Sequence, residues 1–193
     1  MRALFAAVAA SLLLVPAAGA GKETYSVAVQ RGVAGITLGT PYSSLYGRLG
    51  VLVQARRPVR HQACGMYTKH RWLELCFNTR GRQPVESFGA LQPLDELGST
   101  PRYCLAGVSY CLGDRGGVQS LKRRWGASLR GPTRLRDGAN AYVLLGRWGS
   151  RRVETAFLVP GAGSRWAGQG RVYAAYISVC GRQDPLIPPC APR

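Results

Sequence analysis

One stretch, together with its second appearance downstream, limits the folds open to this chain more than any other feature. Residues 35–50 hold the run Ile36-Thr37-Leu38, a Gly39-Thr40-Pro41 turn, a short helical pattern and a closing glycine. Residues 107–126 repeat the order: Leu112-Gly113 lies over Leu38-Gly39, and Gly126 over Gly50, with two extra residues in the later copy. Thr40 is placed to cap, its hydroxyl accepting from a free amide of the first turn, and Pro41 gives up a donor that would be unpaired anyway. Tyr42, Leu45, Tyr46 and Leu49 then fall at i, i+3, i+4 and i+7, one apolar face that Gly50 ends. In the second copy Asp114 takes the capping place and Val118, Leu121 and Trp125 make the stripe. Helices of about three turns are marginal alone, so each must lay its stripe on a sheet.

The remaining segments supply that sheet. Residues 24–30 read as a first strand. Residues 59–67 and 71–78 read as a hairpin, with Trp72, Glu74 and Cys76 alternating against Leu73, Leu75 and Phe77, and 85–91 follow as a third strand. Residues 51–58 read as a connector with a basic end, and 92–102 as the link between the two units. After the second helix, 127–138 reads as a polar segment. Residues 141–148 and 151–159 form strands around a Gly149-Ser150 turn, and 172–180 form the last strand. A glycine-rich loop, 161–170, separates the final two. The expected fold is α+β: two tandem helix-plus-three-strand units, 21–98 and 99–180, with an antiparallel sheet and short helices packed on one face.

The Gly35-Ile-x-Leu-Gly39 run with its Leu112-Gly113 echo, each followed by a helical pattern and a Gly, and then by strands carrying Trp72 and Phe77, resembles the secreted bacterial tandem-repeat proteins of the beta-lactamase-inhibitor-protein type. A single unit is also similar to the small lipoprotein of the outer-membrane assembly machinery. The resemblance implies the same α+β fold and a habit of binding other proteins through an exposed sheet face. No binding residue of either family matches by position, so inhibitor activity is not carried over.

Residues 1–20 read as a secretory signal: Arg2 at the charged start, an apolar run over 4–16, and Ala18-Gly19-Ala20 as the cleavage site. The run is shorter than the roughly twenty residues of a membrane span and is broken by Pro16. An exported chain of about 170 residues suits one domain with a substantial core. The tail, 181–193, carries four prolines and is loose unless Cys190 ties it down. Six cysteines suit three disulfides in an oxidising compartment. A turn centred on His70 gives an antiparallel register in which paired numbers sum to 140, and this sets Cys64 opposite Cys76. Cys104 with Cys111 and Cys180 with Cys190 pair by proximity, among about fifteen possible connectivities. The nearest approach to a metal set, His61, Cys64, His70 and Cys76, is better read as cystine plus two histidines in an exported chain.

The formal charge is +17, and loss of Arg2 with the signal leaves 17 − 1 = +16. Such a balance attracts nucleic acid, anionic lipid or anionic wall polymer. However, 23 arginines against 3 lysines, amid abundant Ala, Gly, Pro and Val, is the bias of a GC-rich genome. No aromatic and basic interleaving of the kind that stacks bases is present, so nucleic acid is not the expected partner. The chain has no Gly-x-Ser-x-Gly and no phosphate-binding glycine loop. Glu74, Glu86 and Glu154 read as acids on a solvated sheet face, with a cross-strand pair of Glu74 and Glu86 as the alternative; His61 or His70 is the candidate general base, and His70 falls in a hairpin turn where a solvated histidine is the commoner outcome. The recognition candidates are Arg165 and Trp166, in a glycine-flanked loop with little to hold it, and Tyr67 and Trp72, flanking the first hairpin turn. The expected function is that of a secreted, non-enzymatic protein-binding module that needs no cofactor. A basic envelope component held to anionic wall polymer is the alternative, and a hydrolase with an unrecognised site stands third.

Overall fold

The computed structural model describes residues 23–45, 47–57, 61–70, 72–97 and 100–180. The signal sequence, Tyr46, the tail and Cys190 lie outside the described residues. In chain order the elements are β1 (Thr24–Ala28), β2 (Gly32–Val33), β3 (Ile36–Thr37), a 3₁₀ turn (Tyr42–Ser44), β4 (Leu52–Arg56), β5 (Gln62–Tyr67), a second 3₁₀ turn (Thr68–His70), β6 (Leu73–Asn78) and β7 (Val85–Leu91). There follow β8 (Arg102–Leu105), α1 (Gly117–Trp125), a third 3₁₀ turn (Gly126–Ser128), β9 (Leu129–Arg134), β10 (Asn140–Trp148), β11 (Arg151–Val159) and β12 (Ala174–Val179).

The strands form two sheets. A small one runs β3-β2-β1-β8, with β1 and β8 parallel. A large antiparallel one runs β4-β5-β6-β7-β12-β11-β10-β9, so two four-strand meanders meet at their last strands. Side chains directly opposite one another share a face, and successive ones alternate. One face of the large sheet therefore carries Leu73, Leu75, Phe88, Ile177, Val153 and Phe157, all buried with Val27, Tyr103 and Leu105 of the small sheet in one core. Helix α1 covers the β10–β11 end of that face, where Trp125 stacks on Phe157 with ring centroids 5.6 Å apart. The opposite face carries a cross-strand row of Cys64, Cys76, Ser87, Ser178, Glu154 and Leu145.

This architecture corrects the expected pair of helix-plus-three-strand α+β units. The chain is mostly β, and α1 is the single α-helix among the described residues. In the first copy the pattern closes only a 3₁₀ turn, because Gly47 interrupts the stripe in a left-handed conformation at φ 78° and Gly50 repeats it at φ 77°. Leu45 and Leu49 are buried nonetheless. Thr40 caps nothing: its hydroxyl meets that of Thr37 at 3.2 Å. Asp114 is drawn off to Arg102, whose Nη2 donates to both its carboxylate oxygens at 2.9 and 2.7 Å, and α1 starts from Gly116 without a side-chain cap. The supposed connector at 51–58 and the supposed polar segment at 127–138 contain β4 and β9, the two edges of the large sheet.

The hairpin register is the one with sum 140: Gln62 faces Asn78, Cys64 faces Cys76 and Met66 faces Glu74. Cys64 and Cys76 are bridged, as are Cys104 and Cys111. Cys180 is also disulfide-bonded. These bonds fit an oxidising compartment, and among the described residues no helix is long and apolar enough to cross a membrane.

Candidate functional site

Several strands of the large sheet begin or end together. Trp72 precedes β6, Leu91 closes β7, Tyr173 precedes β12, Pro160 follows β11 and Ala139 precedes β10. Backbone bonds tie these ends side by side: Leu91 N–H donates to the Trp72 carbonyl at 2.8 Å, Gln92 N–H to Tyr173 at 2.7 Å, and Tyr173 N–H to Leu158 at 2.9 Å. The connections leaving them stand up as walls around a cleft of about 520 Å³, a size that suits a small ligand or an inserted side chain. Trp72, Gln92, Asp95, Asp137, Trp166 and Tyr173 line it.

The Arg165-Trp166 loop is tied down rather than standing free as a tip. Successive turns close it, with Ser164 N–H donating to the Gly161 carbonyl at 3.0 Å and Ala167 N–H to Ser164 at 2.9 Å. Asp95 clamps it from across the cleft by pairing with Arg165 and accepting from Trp166 Nε1 at 3.3 Å. The guanidinium carbons of Arg165 and Arg171 each lie 5.1 Å from the centroid of the Trp166 ring, so two cations bear on one indole. Arg171 is itself held by Gln169 Oε1 at 2.7 Å and by the Gly113 carbonyl. Trp166 is thereby half-buried and oriented, while Arg165 stays exposed.

Two of the lining residues carry unmet hydrogen-bonding capacity at atoms buried beneath the cleft surface. Trp72 Nε1 is buried with no acceptor, and Gln92, only 1 % exposed, leaves Oε1 without a donor while its Nε2 donates to Thr100 Oγ1 at 2.5 Å. Each such group costs about 1–3 kcal/mol of unrecovered desolvation. Trp72 also holds φ at 65°, a left-handed conformation that a bulky side chain enters only when its surroundings force it. Burial, with Asp137 nearby, pushes the Tyr173 hydroxyl up to about 12, so it stays protonated and able to donate.

The structure thus brings Trp72 and Trp166 to one cleft and leaves Tyr67 elsewhere. Tyr67 ends β5, is buried, and lines a smaller cavity of about 210 Å³ behind β4 with Tyr42 and Phe77. It forms no aromatic patch with Trp72. Gln92, Asp95 and Tyr173 escaped the sequence reading. Their convergence depends on β7 pairing with β12, which sets the 92–97 link beside the glycine-rich loop, and no local pattern announces that pairing.

The acids and histidines that the sequence singles out lie apart from one another. Glu74, Glu86 and Glu154 are buried rather than solvated, because the outer face is crowded by its own cross-strand neighbours. Gly89, not Glu86, stands opposite Glu74, and Glu86 accepts from Asn78 Nδ2 at 2.9 Å. His61 Nε2 meets Arg80 Nη2 at 2.7 Å. His70 is half-buried in its turn, edge-on to Tyr25 at 5.2 Å. Burial, with Arg48 nearby, holds its imidazole below the ordinary histidine value. Cys64, Glu74 and Cys76 have donor atoms within 4.8 Å of one another, but the bridge consumes both sulfurs, so this cluster offers a metal no thiolate. Comparison with family models, curated proteins and solved structures finds no match for this chain.

Proposed function

We propose that the chain is an exported, non-enzymatic protein-binding module, whose partner seats part of its surface in the cleft at the end of the large sheet. One observation carries the reading: Trp72 and Trp166 line a single cleft, and Asp95 holds Trp166 in place across it. Aromatic walls supply contact area, and the Asp95 clamp pre-orients Trp166 so that little ordering remains on binding. Trp and Arg at the rim are the residue types enriched at the energetic centres of protein interfaces.

The test is capture on the immobilised full chain from culture fluid or cell envelope, followed by titration of the captured protein against the Trp166→Ala variant. Loss of the indole should weaken binding by at least about 2 kcal/mol, roughly 30-fold. Retention of no protein, or of one indifferent to Trp166, overturns the proposal. Binding to purified cell walls that disappears at moderate salt and ignores Trp166 would support instead the reading as a basic component on anionic wall polymer.

A further inference from the structure

The large sheet has two edges, β4 and β9, and they are protected unequally. An edge strand presents unpaired backbone donors and acceptors, which proline and charge normally guard. Along β9, Arg130, Pro132 and Arg134 are exposed, and Pro132 has no N–H to offer. Both edges carry an irregularity in register, at 141–143 opposite β9 and at 52–54 within β4, so a bulge is not the difference. The difference is apolarity. Val51, Leu52 and Val53 are 71 %, 50 % and 66 % exposed, and they are the exposed large hydrophobics among the described residues. All three lie on or beside β4. Gly65 of β5 leaves room for the Leu52 side chain, since a Cβ there would meet Leu52 Cδ1 at 2.5 Å.

Cations bracket this triplet. At its start stand Arg48 and Lys69, both exposed, with Lys69 Nζ donating to the Gly47 carbonyl at 2.6 Å. At its end stands Arg57, exposed. A second copy laid on this edge would bring like charges together in a chain whose formal charge is already +17.

We propose that the β4 edge is a strand-addition site for another protein, taking an extended segment that is apolar at its centre and acidic at both ends. The added strand pairs its backbone with β4, its central side chains cover Val51 to Val53, and its terminal carboxylates meet the flanking cations. This surface is separate from the aromatic cleft and does not depend on that reading.

A fluorescein-labelled peptide, acetyl-Glu-Thr-Val-Thr-Val-Glu-amide, and a twin with lysine in place of glutamate serve as probes in anisotropy titrations against the full chain. The acidic peptide should bind at least ten-fold tighter than its twin and slow amide exchange across Leu52–Arg56. Val53→Lys should weaken it at least ten-fold, with circular dichroism and melting unchanged because the side chain is exposed. Equal binding of the twins, or no effect of Val53→Lys, overturns the proposal. So does self-association in sedimentation that Val53→Lys abolishes, which would make a second copy the occupant. Amides of β4 already as protected as those of β5 in the free chain would show the edge to be covered already, and would equally overturn it.

Discussion

The two halves of the chain enter the large sheet by the same route and then build different elements ahead of their meanders. In each a buried leucine, Leu38 or Leu112, precedes a glycine in the left-handed region, Gly39 at φ 79° and Gly113 at φ 88°. Gly39 N–H donates to the Val85 carbonyl at 2.8 Å, and Gly113 N–H to the Val172 carbonyl at 2.7 Å. A Cβ would collide at both places, with the Trp148 ring at 2.4 Å and with Leu97 Cδ2 at 2.2 Å. Beyond this pair the halves part. The second builds α1, and the first only a 3₁₀ turn, yet Leu45 and Leu121 are both fully buried. Burial of an apolar stripe therefore does not require a helix around it; the buried leucine is common to both halves, and the backbone that presents it is not.

The largest expected effect tests that equivalence. Leu45→Ala and Leu121→Ala should each cost about 3 kcal/mol in urea unfolding, since each removes a fully buried leucine from one core. A loss below about 1 kcal/mol for Leu45 alone would show that the turn can collapse around the cavity as α1 cannot, and the comparison would fail.

The central strands were the legible part of the fold. Residues 85–91 coincide with β7, and β6, β10, β11 and β12 lie within a few residues of their expected places, because alternation and turn chemistry are strong where a strand packs on a core. The Cys64–Cys76 register followed from the same arithmetic. What escaped was the pair of edges. Leu52-Val-Gln-Ala-Arg56 and Leu129-Arg-Gly-Pro-Thr-Arg134 have one neighbour each and so carry no two-sided apolar signal, and Gly131 and Pro132 argue against a strand on local grounds. The apolar period over 42–49 predicts a helix, but period alone does not register Gly47, which stands in the left-handed region within it. The cleft was half visible: the residue types of Trp72 and Trp166 singled them out, while their meeting depends on long-range strand pairing.

A second contrast between the halves lies on the outer face, where each meander buries a glutamate in its third strand, Glu74 in β6 and Glu154 in β11. Both carboxylate oxygens of Glu154 lack hydrogen-bond partners, and burial raises its carboxyl from 4.5 to about 7. The folded state thus binds a proton that the unfolded chain releases. This contribution to stability is fully present below pH 4.5 and is lost as pH rises through about 7. Glu154→Gln should match the parent near pH 4.5 and exceed it at pH 8 by about 2 kcal/mol. His70 pushes the other way, since its lowered value makes stability fall as pH drops; subtracting the variant's profile from the parent's cancels it. Equal stability of the two at pH 8 would mean that Glu154 is paired or hydrated in solution.

The smallest effect bears most directly on why the halves differ. At Gly47 a Cβ would meet open space, so an alanine there suffers only from its left-handed backbone, at about 1 kcal/mol. Two outcomes compete. Alanine favours a helix by about 1 kcal/mol over glycine, which would let the 42–49 stripe wind as 118–125 does. Against this, the turn is held from outside: Ser44 Oγ donates to the Pro41 carbonyl at 2.8 Å, Lys69 Nζ to the Gly47 carbonyl at 2.6 Å, and Lys69 N–H to the Leu49 carbonyl at 3.1 Å. Winding a helix would swing the Gly47 and Leu49 carbonyls away from Lys69 and break both of the latter bonds. Gly47→Ala should therefore lose about 1 kcal/mol and gain no circular dichroism at 222 nm. A variant with more helix and unchanged stability would show that this one glycine separates the two halves.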